Sequence, residues 1–202
     1  GARRYRDAAR LGRLVRWIHP APAARRSVEL FEALAEDLEG DSDTAIAALR
    51  RLGEADPMYR MPAMVWALII ARRWPELRQW LARQAAGTGL LTHPLAAAGW
   101  VRALGETGDL ATLMKFHLEV VEPLGAKIGE KWLAGLRMMS LGYLGQAPMV
   151  AELAASGQLP YPPNVIFYWQ AIALQASGDI AGARPELERL AAAEAGSLGG
   201  AA

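Results

Sequence analysis

The stretch NVIFYWQAIALQASGDIAGARPELERLAA, Asn164 to Ala192, decides how the rest of the chain is read. Phe167, Gln170, Ala171 and Leu174 recur three or four apart and fall on one face of a helix. Gly178-Asp179 breaks that pattern. Glycine adopts positive φ at a helix C-terminus without steric cost, and an aspartate can cap the next helix by accepting its free N–H groups. Ala183, Leu187 and Leu190 then make the apolar stripe of a second helix, with Glu186, Glu188 and Arg189 turned to water. A two-helix hairpin is too thin to bury such a face alone, so it needs neighbouring copies.

Copies are present. With Gly178 as the reference turn, equivalent helix–turn–helix junctions fall at Gly145, Gly108, Arg73 and Gly40, at intervals of 33, 37, 35 and 33 residues. A small residue follows five positions after the turn at Ala45 and Ala183. Proline follows seventeen positions after it at Pro57 and Pro162, where the second helix should end. YRDAARLGRLVRWIHP near the N-terminus fits a sixth register, with Ala8 and Pro20 at those two offsets and Arg3 as its turn. This reads as the second helix of a repeat whose first helix is missing.

A period near 34, helical hairpins, small residues near positions 8 and 20 and a proline near 32 resemble the tetratricopeptide repeat (TPR). With the turn residue as position 15, the residues near position 8 are Ala33, Ala67, Val101, Met138 and Ala171. Those at position 20 are Ala8, Ala45, Arg78, Leu113, Val150 and Ala183. The resemblance implies an all-α fold, a right-handed α-solenoid of TPR-like hairpins over residues 1–192, forming a single domain with a flexible tail at 193–202. In that family, positions 2, 5, 9, 12 and 13 face a concave channel that holds a partner peptide or helix. Carried over by register, they give Arg60, Arg102, Trp132, Met139, Tyr143, Tyr168 and Gln175, with Trp169 beside them. Aromatics, Met and Arg are the types that interfaces prefer at their hot spots. The Lys and Asn clamp of chaperone-binding TPR domains has no counterpart at the corresponding positions.

Composition agrees with a helical protein. Hydrophobic residues make up 52% of the 202, mostly Ala and Leu, with few β-branched runs. The absence of cysteine excludes a disulfide framework and any Cys-based metal or redox site, and suits a reducing, cytoplasmic setting. MVWALIIA, Met64–Ala71, is the longest apolar run, about half of what a helical span needs. No signal-peptide pattern opens the chain.

Charge is distributed unevenly. Residues 1–26 hold eight Arg against one Asp, while the remainder carries an excess of acid that brings the total to +1. Arg3, Arg6, Arg10 and Arg13 recur three or four apart, opposite Leu11, Leu14, Val15 and Ile18. The pattern is that of a solvated outer helix face, or of a basic surface near the cytoplasmic face of a membrane. The apolar stripe of this orphan helix also offers a route to self-association. Nucleic-acid binding is disfavoured, because no recognition motif accompanies the arginines.

No catalytic constellation is legible. GETGD lacks the spacing and Lys of a phosphate loop, and there is no GxSxG elbow. Asp41, Ser42 and Asp43 read as helix capping rather than as a calcium loop. His117 stands near Glu119 and Glu122, but residues five apart on an α-helix do not face each other, so neither a metal site nor a general base is assigned. No cofactor is implied. Trp66, Trp74 and Trp80 read as packing residues. The Met- and Gly-rich WLAGLRMMSLGYLG, Trp132–Gly145, reads as an adaptable surface or a gap-filling one.

The expected function is thus a noncatalytic protein-interaction scaffold whose partner is a protein or peptide. A narrower resemblance runs alongside it. ARRYRDAARLGRLVRWIHP near the start and RALGETGDL in the middle resemble the soluble helical extension of some rhomboid-family intramembrane proteases. That resemblance implies a regulatory or substrate-gathering extension, with the protease core outside this sequence.

Overall fold

The computed structural model describes residues 2–18, 22–85, 89, 91, 93–123, 130–159 and 161–199. Every regular element among them is helical, eleven helices in all: α1 Ala2–Ile18, α2 Pro22–Leu38, α3 Ser42–Ala55, α4 Pro57–Ile70, α5 Trp74–Ala85, α6 Pro94–Glu106, α7 Leu110–Phe116, α8 Glu130–Tyr143, α9 Ala147–Ala155, α10 Pro163–Ala176 and α11 Ile180–Gly199. A π-helical turn, His117–Val121, extends α7. Among the described residues no helix is long and apolar enough to cross a membrane.

The chain divides into two compact units, Gly1–Gln84 and Ala85–Ala202. The backbone of α11 is helical through Gly199, favoured by its Ala-rich stretch despite Gly196. In the first unit α1 packs on α2, α2 on α3 and α3 on α4. In the second, the first helices of consecutive hairpins, α6, α8 and α10, lie side by side, and α7, α9 and α11 return against them.

Each hairpin turns by the same device. Gly40, Arg72, Gly108, Gly145 and Gly178 all have left-handed φ, from 52° to 98°. At each, the next residue's N–H donates to the carbonyl five residues back: Asp41 to Glu36, Arg73 to Leu68, Asp109 to Leu104, Gln146 to Leu141 and Asp179 to Leu174. That same residue opens the next helix, its carbonyl accepting from the N–H four residues on. Asp41, Asp109 and Asp179 add a side-chain cap, to the N–H of Thr44, Thr112 and Gly182. One Schellman closure and one N-cap thus share two adjacent residues.

This geometry corrects the second register. The left-handed residue is Arg72 rather than Arg73, so the intervals become 33, 37, 36 and 32 residues. Counted from it, the residues seven before are Ala33, Val65, Val101, Met138 and Ala171, and those five after are Ala45, Leu77, Leu113, Val150 and Ala183. None of these ten is more than 3% exposed. Val65 and Leu77 therefore replace Ala67 and Arg78. At the N-terminus Arg3 lies within continuous helix rather than at a turn, and Ala9, not Ala8, is fully buried. Pro57 starts the next hairpin's first helix instead of ending the preceding one, and Pro162 caps α10. Proline lacks the N–H that a first helical turn leaves unbonded in any case.

Three helical glycines in the second unit accept aromatic rings. A Cβ on Gly105 would lie 2.3 Å from the Tyr143 ring, one on Gly142 would lie 2.9 Å from Trp169, and one on Gly135 would lie 2.3 Å from the Tyr161 hydroxyl. Substitution at the junctions should be graded by the same criterion. Gly178→Ala has open space and should lose about 1 kcal/mol for the left-handed φ alone. Gly145→Ala should lose more, because its Cβ would meet the backbone of Ala176 and Ser177 at 3.0 Å. Urea denaturation of both variants checks this; equal losses would remove the role given to the backbone contact.

Candidate functional site

The side chains expected to face a partner follow two fates. In the second unit, Arg102 of α6, Tyr143 of α8 and Tyr168 and Trp169 of α10 come together. The Tyr143 and Tyr168 rings meet Trp169 edge-on at 5.2 and 5.1 Å, and the Arg102 guanidinium stands 5.6 Å from a Trp169 ring. The Tyr143 hydroxyl donates to Glu106 Oε1 at 2.7 Å, and Arg102 Nη2 donates to the same oxygen at 3.3 Å. Burial pushes the Tyr143 hydroxyl far above its ordinary pKa. Trp169 is 3% exposed and Tyr143 9%, so the expectation that these two are open to a partner is corrected: they join α6, α8 and α10. The cause is the glycine at each ring, which lets a large side chain sink between helices. Met139 is half-buried against the same core, and Trp132 and Gln175 are exposed. Arg60, in the first unit, is exposed.

The basic face of α1 is also partly engaged. Arg6 binds Glu36 of α2 and Glu39 just beyond it, Arg13 binds Glu32, and Arg10 stands 3.6 Å from Asp7. The Arg6 guanidinium lowers the Glu39 carboxyl and is itself raised by that partner. The Arg3 side chain lies outside the described residues. Arg6 and Arg13 therefore seat α1 on α2 rather than forming an open cationic surface.

Clefts lie elsewhere. Three of them recur at one register, each framed by the first helix of a hairpin, that hairpin's second helix and the second helix of the hairpin before. On the first helices they take the positions eight and four before the left-handed residue: Met64 and Leu68, Arg137 and Leu141, Gln170 and Leu174. On the second helices they take the position eight after it: Trp80, Leu153 and Glu186. At 100° per residue this is nearly the opposite side of the first helix from the expected face. Arg60, twelve before Arg72, belongs to the cleft side. In the last hairpin the cleft reverses part of the expected stripe: Leu187 is 51% exposed while the Glu186 carboxylate is mostly buried.

The cleft beside α8 contains chemistry that the α-helical reading misses. The π turn widens the helix so that residues five apart share a face. His117 Nε2 comes within 3.4 Å of Glu122 Oε1, and the Glu122 N–H donates to the His117 carbonyl. His117 is 6% exposed, neither surface nor half-buried, and its Nδ1 lies 2.8 Å from Ser140 Oγ. The Ser140 hydroxyl donates to the Leu136 carbonyl at 2.9 Å, so it accepts from His117 Nδ1–H. Serine, histidine and carboxylate in a row suggest a nucleophile and its base, but Ser140 is fully buried inside α8 and its proton is already committed. Glu122 is held by two hydrogen bonds from Arg137. Burial pulls the His117 pKa below its ordinary value, Glu122 opposes this and Arg137 adds to it. Among the described residues no group of three His, Cys, Asp or Glu side chains is placed to hold a metal.

Family models, curated proteins and solved structures contain no match to this chain.

A neutral buried His117 has a pH signature. The unfolded chain binds its proton near pH 6.5 and the folded chain only at lower pH, so stability is full above 6.5 and is lost as pH falls through the folded value. Urea denaturation at pH 7.5 and at mildly acidic pH should show a larger loss for the wild type than for His117→Gln. The same loss in both proteins would place the acid sensitivity elsewhere.

Proposed function

We propose that the chain is a noncatalytic protein-interaction module, a right-handed α-solenoid of TPR-like hairpins that receives a peptide or helix of a partner protein. The observation that carries this reading is the recurrence of one cleft at one repeat register with different side chains in each copy. A constant backbone with variable linings is how repeat scaffolds acquire extended recognition surfaces. The cleft beside α8 has the required mixture: Leu118 and Met149 are 60% and 48% exposed, next to the Glu122–Arg137 pair. Exposed apolar side chains beside paired charges suit an amphipathic segment, which buries its anchors and keeps its polar edge wet.

The binding side differs from the one implied by the family resemblance. On that face Tyr143 and Trp169 are spent on packing α8 and α10, whereas the clefts keep Leu118, Met149 and Trp80 accessible.

Selection from a displayed random-peptide library tests the reading on the full chain. Wild type should enrich a consensus containing apolar anchors, and a Leu118→Asp, Met149→Asp variant with unchanged circular dichroism should lose it. Trp132→Ala, Gln175→Ala, on the other side of the first helices, should keep it. Loss in the second variant alone would overturn the cleft assignment. Failure of wild type to enrich any consensus would overturn the interaction-module reading.

A further inference from the structure

The three equivalent clefts differ in electrostatic sign. The last-hairpin cleft is lined by Asp179 and Glu186 with no cation, and the one beside α8 by Glu122 and Glu152 against Arg137. The first-unit cleft reverses the balance, with Arg50, Arg60 and Arg73 against Glu54 and Glu76.

Local pairing sharpens that contrast. Arg73 and Glu76 neutralise each other across one helical turn. Arg50 of α3 and Arg60 of α4 form no ion pair among the described residues, and of this cleft's two carboxylates only Glu54 is likewise uncommitted. The two helices meet closely there: Gly53 is buried, and a Cβ on it would lie 3.5 Å from Arg60 Cα. Two arginines from adjoining helices thus line one space of about 510 Å³. Met64, the buried Leu68 and the half-buried Trp80 give that space an apolar wall.

We propose that this cleft binds an acidic peptide segment of a partner protein, with carboxylates at Arg50 and Arg60 and an aliphatic side chain against Met64 and Trp80. The proposal rests on the reading of the clefts as peptide sites and adds the charge of the occupant. Guanidinium matches carboxylate through paired, parallel hydrogen bonds. At an exposed mouth that attraction is screened by salt, so the apolar anchor must hold the segment in register.

Fluorescence anisotropy of the full chain with three labelled synthetic peptides tests it: Glu alternating with Leu, Lys alternating with Leu, and Glu alternating with Gly. The Glu/Leu peptide should bind best and weaken as salt rises. Arg50→Glu with Arg60→Glu should weaken it by about tenfold or more. Arg51→Glu, exposed on α3 outside the cleft, should leave it unchanged. Circular dichroism verifies folding, and Arg60→Gln provides a milder variant that should reduce binding in the same direction. An equal loss in Arg51→Glu would reduce the effect to general charge and overturn the proposal. Tighter binding of the Lys/Leu peptide, abolished by Trp80→Ala, would overturn the acidic assignment while leaving the cleft as a peptide site. Binding of neither Leu-containing peptide would also overturn it, and the library selection separately decides the broader reading.

Discussion

A single backbone constraint organises the molecule: at each hairpin one residue must turn left-handed so that one helix can end and the next begin within two positions. Four of the five junctions use glycine, which occupies that region freely. Arg72 does so with a Cβ, at a cost of about 1 kcal/mol or more, and the hydrogen-bond pattern around it is the same. The constraint fixes helix phase, since whatever stands seven residues before the turn and five after it is driven into the core. Size at those positions varies from Ala to Met and Leu, and burial does not.

Phase in turn separates two sides of each first helix. In the second unit one side carries the Arg102, Tyr143 and Trp169 cluster and is largely consumed by packing between α6, α8 and α10. The other opens into clefts, where side-chain identity is free to vary. Residue types favoured at interfaces therefore occur on both sides for different reasons. A Trp pressed into a glycine hollow and a Trp beside a cleft have the same letter and different accessibility.

The hairpin turns were legible because their punctuation is local. Gly-Asp at positions 108–109 and 178–179, and Gly40-Asp41, announce the turn and its cap through side chains that act on their own backbone. The second junction was displaced by one because both candidates are arginine, and neither the left-handed φ nor its cost can be read from the letter. Tyr143 and Trp169 were misjudged because their burial depends on Gly105 and Gly142, glycines on other helices. His117 was misjudged because α-helical spacing was assumed where the backbone adopts a π turn. The signal was present only as a buried histidine partnered by Ser140, twenty-three residues away.

The aromatic insertions also have a direction along the chain. Tyr143 enters the hollow at Gly105, and Trp169 and Tyr161 enter those at Gly142 and Gly135, so in each case the later segment fills a gap in the earlier one. During synthesis, α6 leaves the ribosome with its hollow empty and stays that way until α8 follows; α8 then waits for α10. The hairpins begun by α6 and α8 are therefore completed by their successors, and nascent chains that stall between them carry an open notch. Such intermediates are the natural clients of chaperones that recognise exposed apolar surface.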